Sequence, residues 1–585
     1  MRPPSPARLA CGALAALALV ACAPVERRFP LREPLWRDAD LQPVYVRCHH
    51  QADSKDPHHV SCAPEVYDAP TDWDGVDNMF FRPLSETLGI VTSGESLNVN
   101  SMDEVPDSSW FTNRLGIRPV SLEELRRNDC KQEWLLDPEH AADGSWLIDQ
   151  GKTSGSTPGF RINVPGKGKY MVKLEATGLP ERQVAATVIG EAVYYAVGYN
   201  ATCEQALLVR PSVFKLKPGL RASHGNFGDE YDFDQKAVDE LFAKSNKHHG
   251  LLRLSASAWV PGYITQQWRY EGTRRDDPND VIPHQDRRDL RGARLLSAWI
   301  DHFDSREGNS LDTWITDVKG GPPDASPGHL VHLQMGTSAA LGSAWDWDPI
   351  TRRLGYSYVA DWGDMAKDFF TLGAATDVWE RIQKTPGREI FNYNNVRDFD
   401  PERWKNEYPN PAFSRMTERD GAWMARILAG FTPPMIRTLA EMAQFEDPSN
   451  TDYLESVLSG RLQKILQRYL TRVSPITHVH VEGTSVVCGV DLAEQRGLRD
   501  AGSFRYAARL VGGGWLPVER RVGAQVCVTL PHVATDGGSM ADDAPGRYVR
   551  VRIQDGVARG PLVAHFYDLG PTRGYRLVGL ERPDR

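Results

Sequence analysis

Asp304 and Asn309 stand five residues apart in His302-Phe303-Asp304-Ser305-Arg306-Glu307-Gly308-Asn309. Lys173 lies upstream in an apolar stretch, Tyr170-Met171-Val172-Lys173-Leu174-Glu175. These are residue types that phosphoryl transfer uses. That chemistry needs positioning and charge neutralisation more than covalent help from the protein. A lysine meets the phosphates, one Asp orients the attacking hydroxyl, and an Asn with a second Asp holds the metal ions. Lys173, Asp304 and Asn309 come in that order. The second Asp should end the second strand after Asn309, which reads His329-Leu330-Val331-His332-Leu333-Gln334-Met335-Gly336. Gln334 or Gly336 occupies the place, depending on alignment. Mg²⁺ prefers carboxylate oxygens, so a Gln carbonyl is a weak substitute and Gly offers only backbone. Asp346 and Asp348 follow a short way on and are the carboxylates left to compensate.

Two further parts complete the set. A helix read over 181–197 carries Glu181 at its start and Glu191 near its end, and Glu191 is the partner expected for Lys173. Gly155-Ser156-Thr157-Pro158-Gly159 precedes the first strand, and Gly155 and Gly159 could let backbone N–H groups cover phosphates; a plain Gly/Pro turn explains the same residues. Gly151-Lys152-Thr153 is not a P-loop, because Trp146 stands where the leading Gly belongs.

The elements that must position these groups are legible in the pattern. Phe160 to Val164 and Lys169 to Glu175 read as strands joined by Pro165-Gly166-Lys167-Gly168. Leu290 to Phe303 reads as a helix with Leu290, Leu295, Leu296, Trp299, Ile300 and Phe303 on the apolar side. Two short strands follow Asn309, Leu311 to Thr316 and Leu330 to Met335. Thr417 to Asp420 resembles a capping box, Thr432-Pro433 opens another helix, and Leu454 to Tyr469 gives one buried face. From Pro475 the period changes to two, as in Val549, Val551 and Ile553. Short strands near 479–487, 504–510, 526–530, 563–567 and 575–580 predict a small β-sandwich.

Arg2 and Arg8 with the apolar run Leu9 to Val20 form a secretion signal. It ends in Leu19-Val20-Ala21-Cys22, like a bacterial lipobox, which makes Cys22 the lipidation site. No later segment is long and apolar enough to span a bilayer. Hydrophobic residues at 41% and charged ones at 25% are ordinary for folded domains. A net charge of -9 and the absence of a basic stripe give no support for nucleic-acid binding. Six further cysteines in an exported chain favour disulfides. Sequence proximity suggests Cys48–Cys62, Cys130–Cys203 and Cys488–Cys527, among 15 possible pairings. Cys48-His49-His50 and His58-His59-Val60-Ser61-Cys62 also carry zinc-ligand types, but an oxidising compartment favours the disulfide.

The chain resembles a group of bacterial lipoproteins and secreted proteins with a distant HipA-like or phosphatidylinositol-kinase-like fold. The residues that carry the resemblance include Thr157-Pro158-Gly159-Phe160, Val172-Lys173, Gly198-Tyr199-Asn200, Asp276-Asp277-Pro278-Asn279-Asp280-Val281-Ile282-Pro283-His284, Asp304 with Asn309 to Thr313, Leu341-Gly342-Ser343, Tyr408-Pro409-Asn410-Pro411-Ala412-Phe413, and Leu577 to Arg582. The resemblance implies that the family's helix Glu falls at Thr187 and its metal Asp at Gly336. Two of five catalytic parts are then missing, while Lys173, Asp304 and Asn309 match.

The expected fold is α+β, a two-lobed protein-kinase-like domain followed by a small C-terminal β-sandwich. The expected divisions are a signal over 1–22, an irregular lead over 23–100 with a disulfide loop, a kinase-like domain over 101–474 and a sandwich over 475–585. The two lobes divide near 260. The expected function is a pseudokinase-like binding or scaffold module, anchored through lipid in the bacterial envelope, with the outer membrane favoured because Ala23, not Asp, follows Cys22. Its partner would be an envelope protein or a glycan. The alternative is an active atypical kinase or nucleotidyl transferase using Lys173, Asp304 and Asn309, with ATP and Mg²⁺ as cofactors. A third reading is a carbohydrate- or envelope-binding protein acting through the sandwich.

Overall fold

The computed structural model describes residues 27–50, 60–67, 71–88, 94–153, 157–178, 180–223, 229–344, 347–536 and 539–584. Helices and sheets are mixed throughout, an α+β chain. Gly155, Asp346 and Cys22 lie outside the described residues.

A seven-stranded sheet holds Lys173. Its order runs Lys247–His248, Leu251–Ala258, Gly168–Leu174, Gly159–Val164, Trp146–Gly151 and Phe214–Leu216, with Glu204–Val209 also paired to Leu251–Ala258. Alternation makes one face apolar: Phe160, Ile162, Tyr170, Val172 and Leu254 are buried in one cluster. The turn between Gly159–Val164 and Gly168–Leu174 has Gly166 and Gly168 at positive φ, which explains why the sequence spends two glycines there.

Helix Gln183–Val197 is buried almost all round. It feeds the two-residue strand Asn200–Ala201, which joins a second sheet of order Tyr263–Gln266, Ser310–Thr316, Gly328–Gln334, Asn200–Ala201. The apolar side chains of helix Gln183–Val197 share a separate cluster with helices Arg288–Ile300, Glu418–Leu428, Pro433–Met442 and Pro448–Tyr469. Helix Glu418–Leu428 opens on a capping box formed by Thr417 and Asp420.

Beyond residue 475 lie two antiparallel sheets. One has the order Ile476–Glu482, Val486–Asp491, Gln525–Thr529, Val518–Arg521; the other Trp515–Leu516, Ala507–Leu510, Tyr548–Gln554, Leu562–Asp568, Tyr575–Glu581. Val487, Val526 and Val528 of the first share a cluster with Val551, Ala564 and Phe566 of the second. The single strand expected over 479–487 is two strands around a turn, because Gly483 at positive φ reverses the chain.

Three disulfides are formed, Cys48–Cys62, Cys130–Cys203 and Cys488–Cys527, as sequence proximity suggested. Cys488 and Cys527 are directly opposite on neighbouring strands. Among the described residues no helix is long and apolar enough to cross a membrane.

The lead departs from an irregular segment. Thr71–Val76, Asp77–Phe81 and Arg82–Leu88 are helical turns in succession, although Asp and Pro are frequent there. Tertiary contact holds them: Arg82 makes a bidentate pair with Glu307 at 2.8 and 3.0 Å and also bonds Asp77. Asp103 ties three distant elements together. Its carboxylate meets Arg288 at 2.7 Å, Arg582 at 2.8 Å and Arg426 at 3.7 Å. The three guanidinium groups hold Asp103 far below the usual carboxylate range against the opposing effect of burial.

Candidate functional site

Lys173 lies opposite Gly159 on one neighbouring strand and Ser255 on the other. Gly159 is glycine for a steric reason: a Cβ there would collide with the carbonyl oxygen of Val172. Lys152 directly follows strand Trp146–Gly151 and donates to the carbonyl of Thr157. Burial, and then the like charge of Lys173, push the Lys152 ammonium down to about 8.

Two carboxyl groups, Glu191 and Glu204, lie within electrostatic reach of Lys173. Glu191 projects from helix Gln183–Val197 and is fully buried. Its Oε2 accepts from the Thr202 N–H at 3.0 Å, and its Oε1 lies 3.1 Å from the Thr337 hydroxyl. Burial raises the Glu191 carboxyl to about 8, the neighbouring Glu204 adds to the rise, and Lys173 opposes it. Glu204 is also raised by burial and receives the Ser257 hydroxyl. The Cys130–Cys203 disulfide and an Asn128 side chain bonded to the Glu204 carbonyl at 2.9 Å fix this strand end. Thr337 reaches Glu191 because Gly190, one residue earlier, leaves no Cβ in its way. Thr187 bonds back to the Gln183 carbonyl at 2.7 Å.

Asp304 and Asn309 flank a tight turn after helix Arg288–Ile300. The Asn309 amide donates to the Asp304 carbonyl at 2.6 Å. The Asp304 carboxylate is engaged by Arg306 at 2.7 Å, and Arg306 also lies 4.0 Å from Glu407. Glu407 is hydrogen-bonded to Asp304. Burial first and the Asp304 charge second hold the Glu407 carboxyl well above the usual range. Glu407 is delivered by its own backbone, whose N–H donates to the Phe303 carbonyl at 2.7 Å. His302, two residues before Asp304, is buried between the Tyr194 hydroxyl at 2.9 Å and Ser305 Oγ at 3.2 Å. Burial pushes it down to about 4, so it is neutral. Tyr194 lies on the Glu191 helix, so this contact ties that helix to the Asp304 turn.

Gly336 lies directly against Asn309. It has φ of +79°, and a Cβ there would fall inside contact distance of Asn309 Oδ1. Gln334 is buried, with its amide oxygen 3.5 Å from the Tyr270 hydroxyl. Asp348 is engaged elsewhere by Arg352, Lys384 and Tyr393. The residues around Asn309 therefore do not fit a hard divalent cation: the side that should supply a carboxylate presents a glycine, and Asp304 is already paired with Arg306. Among the described residues, one group of three side chains has metal-ligand spacing, Glu482 with Cys488 and Cys527. Its two sulfurs are joined in a disulfide. The Cys48–Cys62 bond likewise removes the thiolates a zinc site would need.

The structure thus sets Lys173 and Glu191 within electrostatic reach of each other and brings Asp304 to Asn309. Sequence reasoning missed Lys152, Glu204, Glu407, Arg306 and His302 as members of the site. Lys152 was visible only as part of a rejected P-loop tripeptide. Glu407 immediately precedes the Tyr408-Pro409-Asn410-Pro411 motif, and nothing in the spacing pointed it at Asp304. A cavity of about 1150 Å³ has neither Lys173 nor Asp304 in its wall; Asn406, whose amide lies 3.4 Å from the Ser305 carbonyl, lines it together with Tyr358 and Trp379. Its lining carries six Arg or Lys and six Asp or Glu, so it has no net formal charge. No family model, no curated protein and no solved structure matches this chain.

Proposed function

We propose that the chain is an envelope lipoprotein, acylated at Cys22, whose residues 101–474 form a two-lobed kinase-like body acting as a binding or scaffold module without phosphotransfer. Residues 475–585 act as a β-sandwich carried with it. The observation that carries the reading is Gly336 pressed against Asn309, with no space for the carboxylate that a metal-dependent transfer requires. Two others support it. The Asp304 carboxylate, which would orient an attacking hydroxyl, is paired with Arg306 through Oδ1 and hydrogen-bonded to Glu407. Glu191 is protonated near neutral pH and faces Lys173 as a neutral acid.

The test is incubation of purified protein with ATP and Mg²⁺, with the thermal midpoint and γ-phosphate release both recorded. The expected result is no Mg²⁺-dependent stabilisation and no turnover. Turnover that disappears in Asp304→Asn would replace this reading with the active-enzyme alternative. A ligand that binds the folded state stabilises it by RT ln(1 + [L]/Kd), so the midpoint must rise with ligand concentration.

A second reading concerns the partner. The cavity beside the Asp304 turn combines half-buried Tyr356, Tyr358 and Trp379 with a charge-balanced, hydrogen-bonding wall. That combination suits a neutral polyhydroxylated ligand such as an envelope glycan better than an ion. Binding of soluble peptidoglycan fragments that is lost in Trp379→Ala would support it; binding unchanged in that variant would remove the cavity from consideration.

A further inference from the structure

Helix Trp362–Thr371 carries Trp362, Met365, Phe369 and Phe370 at i, i+3, i+7 and i+8, one apolar stripe. That pattern belongs to a helix packed on a core, yet none of its ten residues is buried. Phe369 and Phe370 are 76% and 82% exposed. Leu372 then closes the helix at a φ of +51°, where Gly or Asn is the usual choice, and stays 92% exposed. A helix this short does not hold in water by propensity alone. It is fixed at its start, where Asp361 accepts from the Gly363 and Asp364 N–H groups and the Trp362 indole N–H lies 3.5 Å from the Met79 carbonyl. Its stripe faces solvent.

The lead helices extend this surface. Arg82–Leu88 packs beside Trp362–Thr371, and Trp73, Phe80, Phe81 and Leu88 are each more than half exposed. Trp73 lies against Phe81, and Phe369 against Phe370, with ring centroids 5.5 Å apart in both pairs. With Met365, Phe369, Phe370 and Leu372, these side chains expose roughly 1000 Å², at about 200 Å² for a large apolar side chain. The largest apolar patch of a monomer is about 300–600 Å², whereas one side of a stable interface is about 800 Å².

The charges beside the patch say what covers it. Helices that lie on a bilayer carry Lys or Arg on the polar face. Here those positions are Asp364, Lys367 and Asp368, and Lys367 is paired with Asp377. Arg82 is paired with Asp77 and Glu307. These cations are taken up within the chain and leave little attraction for an anionic headgroup layer. A surface neutralised in this way meets its own copy without strong like-charge repulsion. A two-fold pair, the commonest oligomer, buries the same patch on both sides.

We infer that the stripe of helix Trp362–Thr371 and the lead helices beside it form the interface of a homodimer of this chain. The inference goes beyond the proposed function and depends neither on acylation nor on phosphotransfer. Arg82 reaches Glu307, three residues beyond Asp304, so the dimer also fixes the lead helices against the Asp304 turn.

The chain from Ala23 onward keeps every described residue. In sedimentation equilibrium at micromolar concentrations its expected mass is twice that of one chain. Phe369→Asp with Phe370→Asp should raise the dissociation constant by more than about a thousandfold, since each copy loses two buried rings. Both side chains face solvent in the single chain, so the variant should keep the circular dichroism and urea midpoint of dilute wild type. Val522→Asp, at a 99% exposed position in the C-terminal sheets, should leave the dimer intact. Amide exchange across residues 362–372 should slow as wild-type protein is concentrated, which reads the interface without a substitution. A monomer at every concentration overturns the inference, as does exchange indifferent to concentration. So does a dimer that survives the double Asp change. Growth past two copies overturns it as well, since a two-fold interface closes. Binding of monomer to phosphatidylcholine vesicles, lost in the double variant, would assign the patch to a bilayer instead.

Discussion

Replacing Glu191 by Gln should stabilise the protein in a manner that depends on pH. Glu191 is fully buried and its carboxyl is raised to about 8 in the folded chain, against about 4.5 when exposed to water. The folded state therefore keeps a proton that the unfolded chain gives up. Stability from this group is complete below pH 4.5 and falls as pH rises towards 8, because the unfolded state is then favoured by its ionised Glu. The slope is about 1.4 kcal/mol per pH unit for one proton. Over about 3.5 units it accumulates to about 5 kcal/mol. Gln reproduces the protonated form: its carbonyl accepts the Thr202 N–H and its amide donates to Thr337 Oγ1, which itself donates to the Thr187 carbonyl at 3.1 Å. Wild type and Glu191→Gln should have equal stability near pH 4.5 and diverge in favour of Gln by about 4 to 5 kcal/mol at pH 8. Urea unfolding at four pH values reads this difference, and Glu204, present in both proteins, largely cancels. An infrared band of a protonated carboxylic acid, lost near pH 8 and missing in the variant, gives the same answer without unfolding. Parallel stability curves, or a Gln variant weaker by a constant amount, would refute the placement of a neutral acid beside Lys173. Lys173→Met should move the band's loss to higher pH, because the ammonium is what opposes the rise.

Three other perturbations test the scaffold. Asp103→Ala leaves Arg288, Arg426 and Arg582 buried around an empty place and should cost about 3–5 kcal/mol in chemical denaturation, with the C-terminal sheets exposed first to limited proteolysis. Changing Cys130 and Cys203 together to Ala opens a loop with 73 residues of sequence separation and should lower stability by about 4 kcal/mol in the chain-entropy model; an unchanged denaturation midpoint would count against it. Gly336→Asp restores a carboxylate in sequence but forces a Cβ onto Asn309 at a positive φ. A loss of about 1–3 kcal/mol is expected, with no ATP turnover gained, and turnover in this variant would show that the turn relaxes more readily than its packing implies.

What the sequence determined by itself was local. Alternation in Phe160 to Val164 and in Tyr170 to Leu174 fixed two strands and their turn, since period-two burial and glycines at positive φ leave few alternatives. The heptad-like face from Leu454 to Tyr469 fixed a long helix in the same way. The three disulfides were readable because each pairs cysteines that are neighbours in chain order. The helical turns over 71–88 were not readable, because an ion pair from Arg82 to Glu307, 225 residues away, holds them rather than any propensity of their own. Only the tertiary structure decided the electrostatics of the site. Glu407 meets Asp304 across 103 positions of sequence, and Glu204 meets Glu191 through a strand and a turn. Burial then raises the Glu407 and Glu191 carboxyls, so that each holds its proton more tightly than in water. A one-dimensional pattern carries residue types and spacing, but the cost of removing a charge from water depends on everything that surrounds it, and that is settled only when the chain has closed.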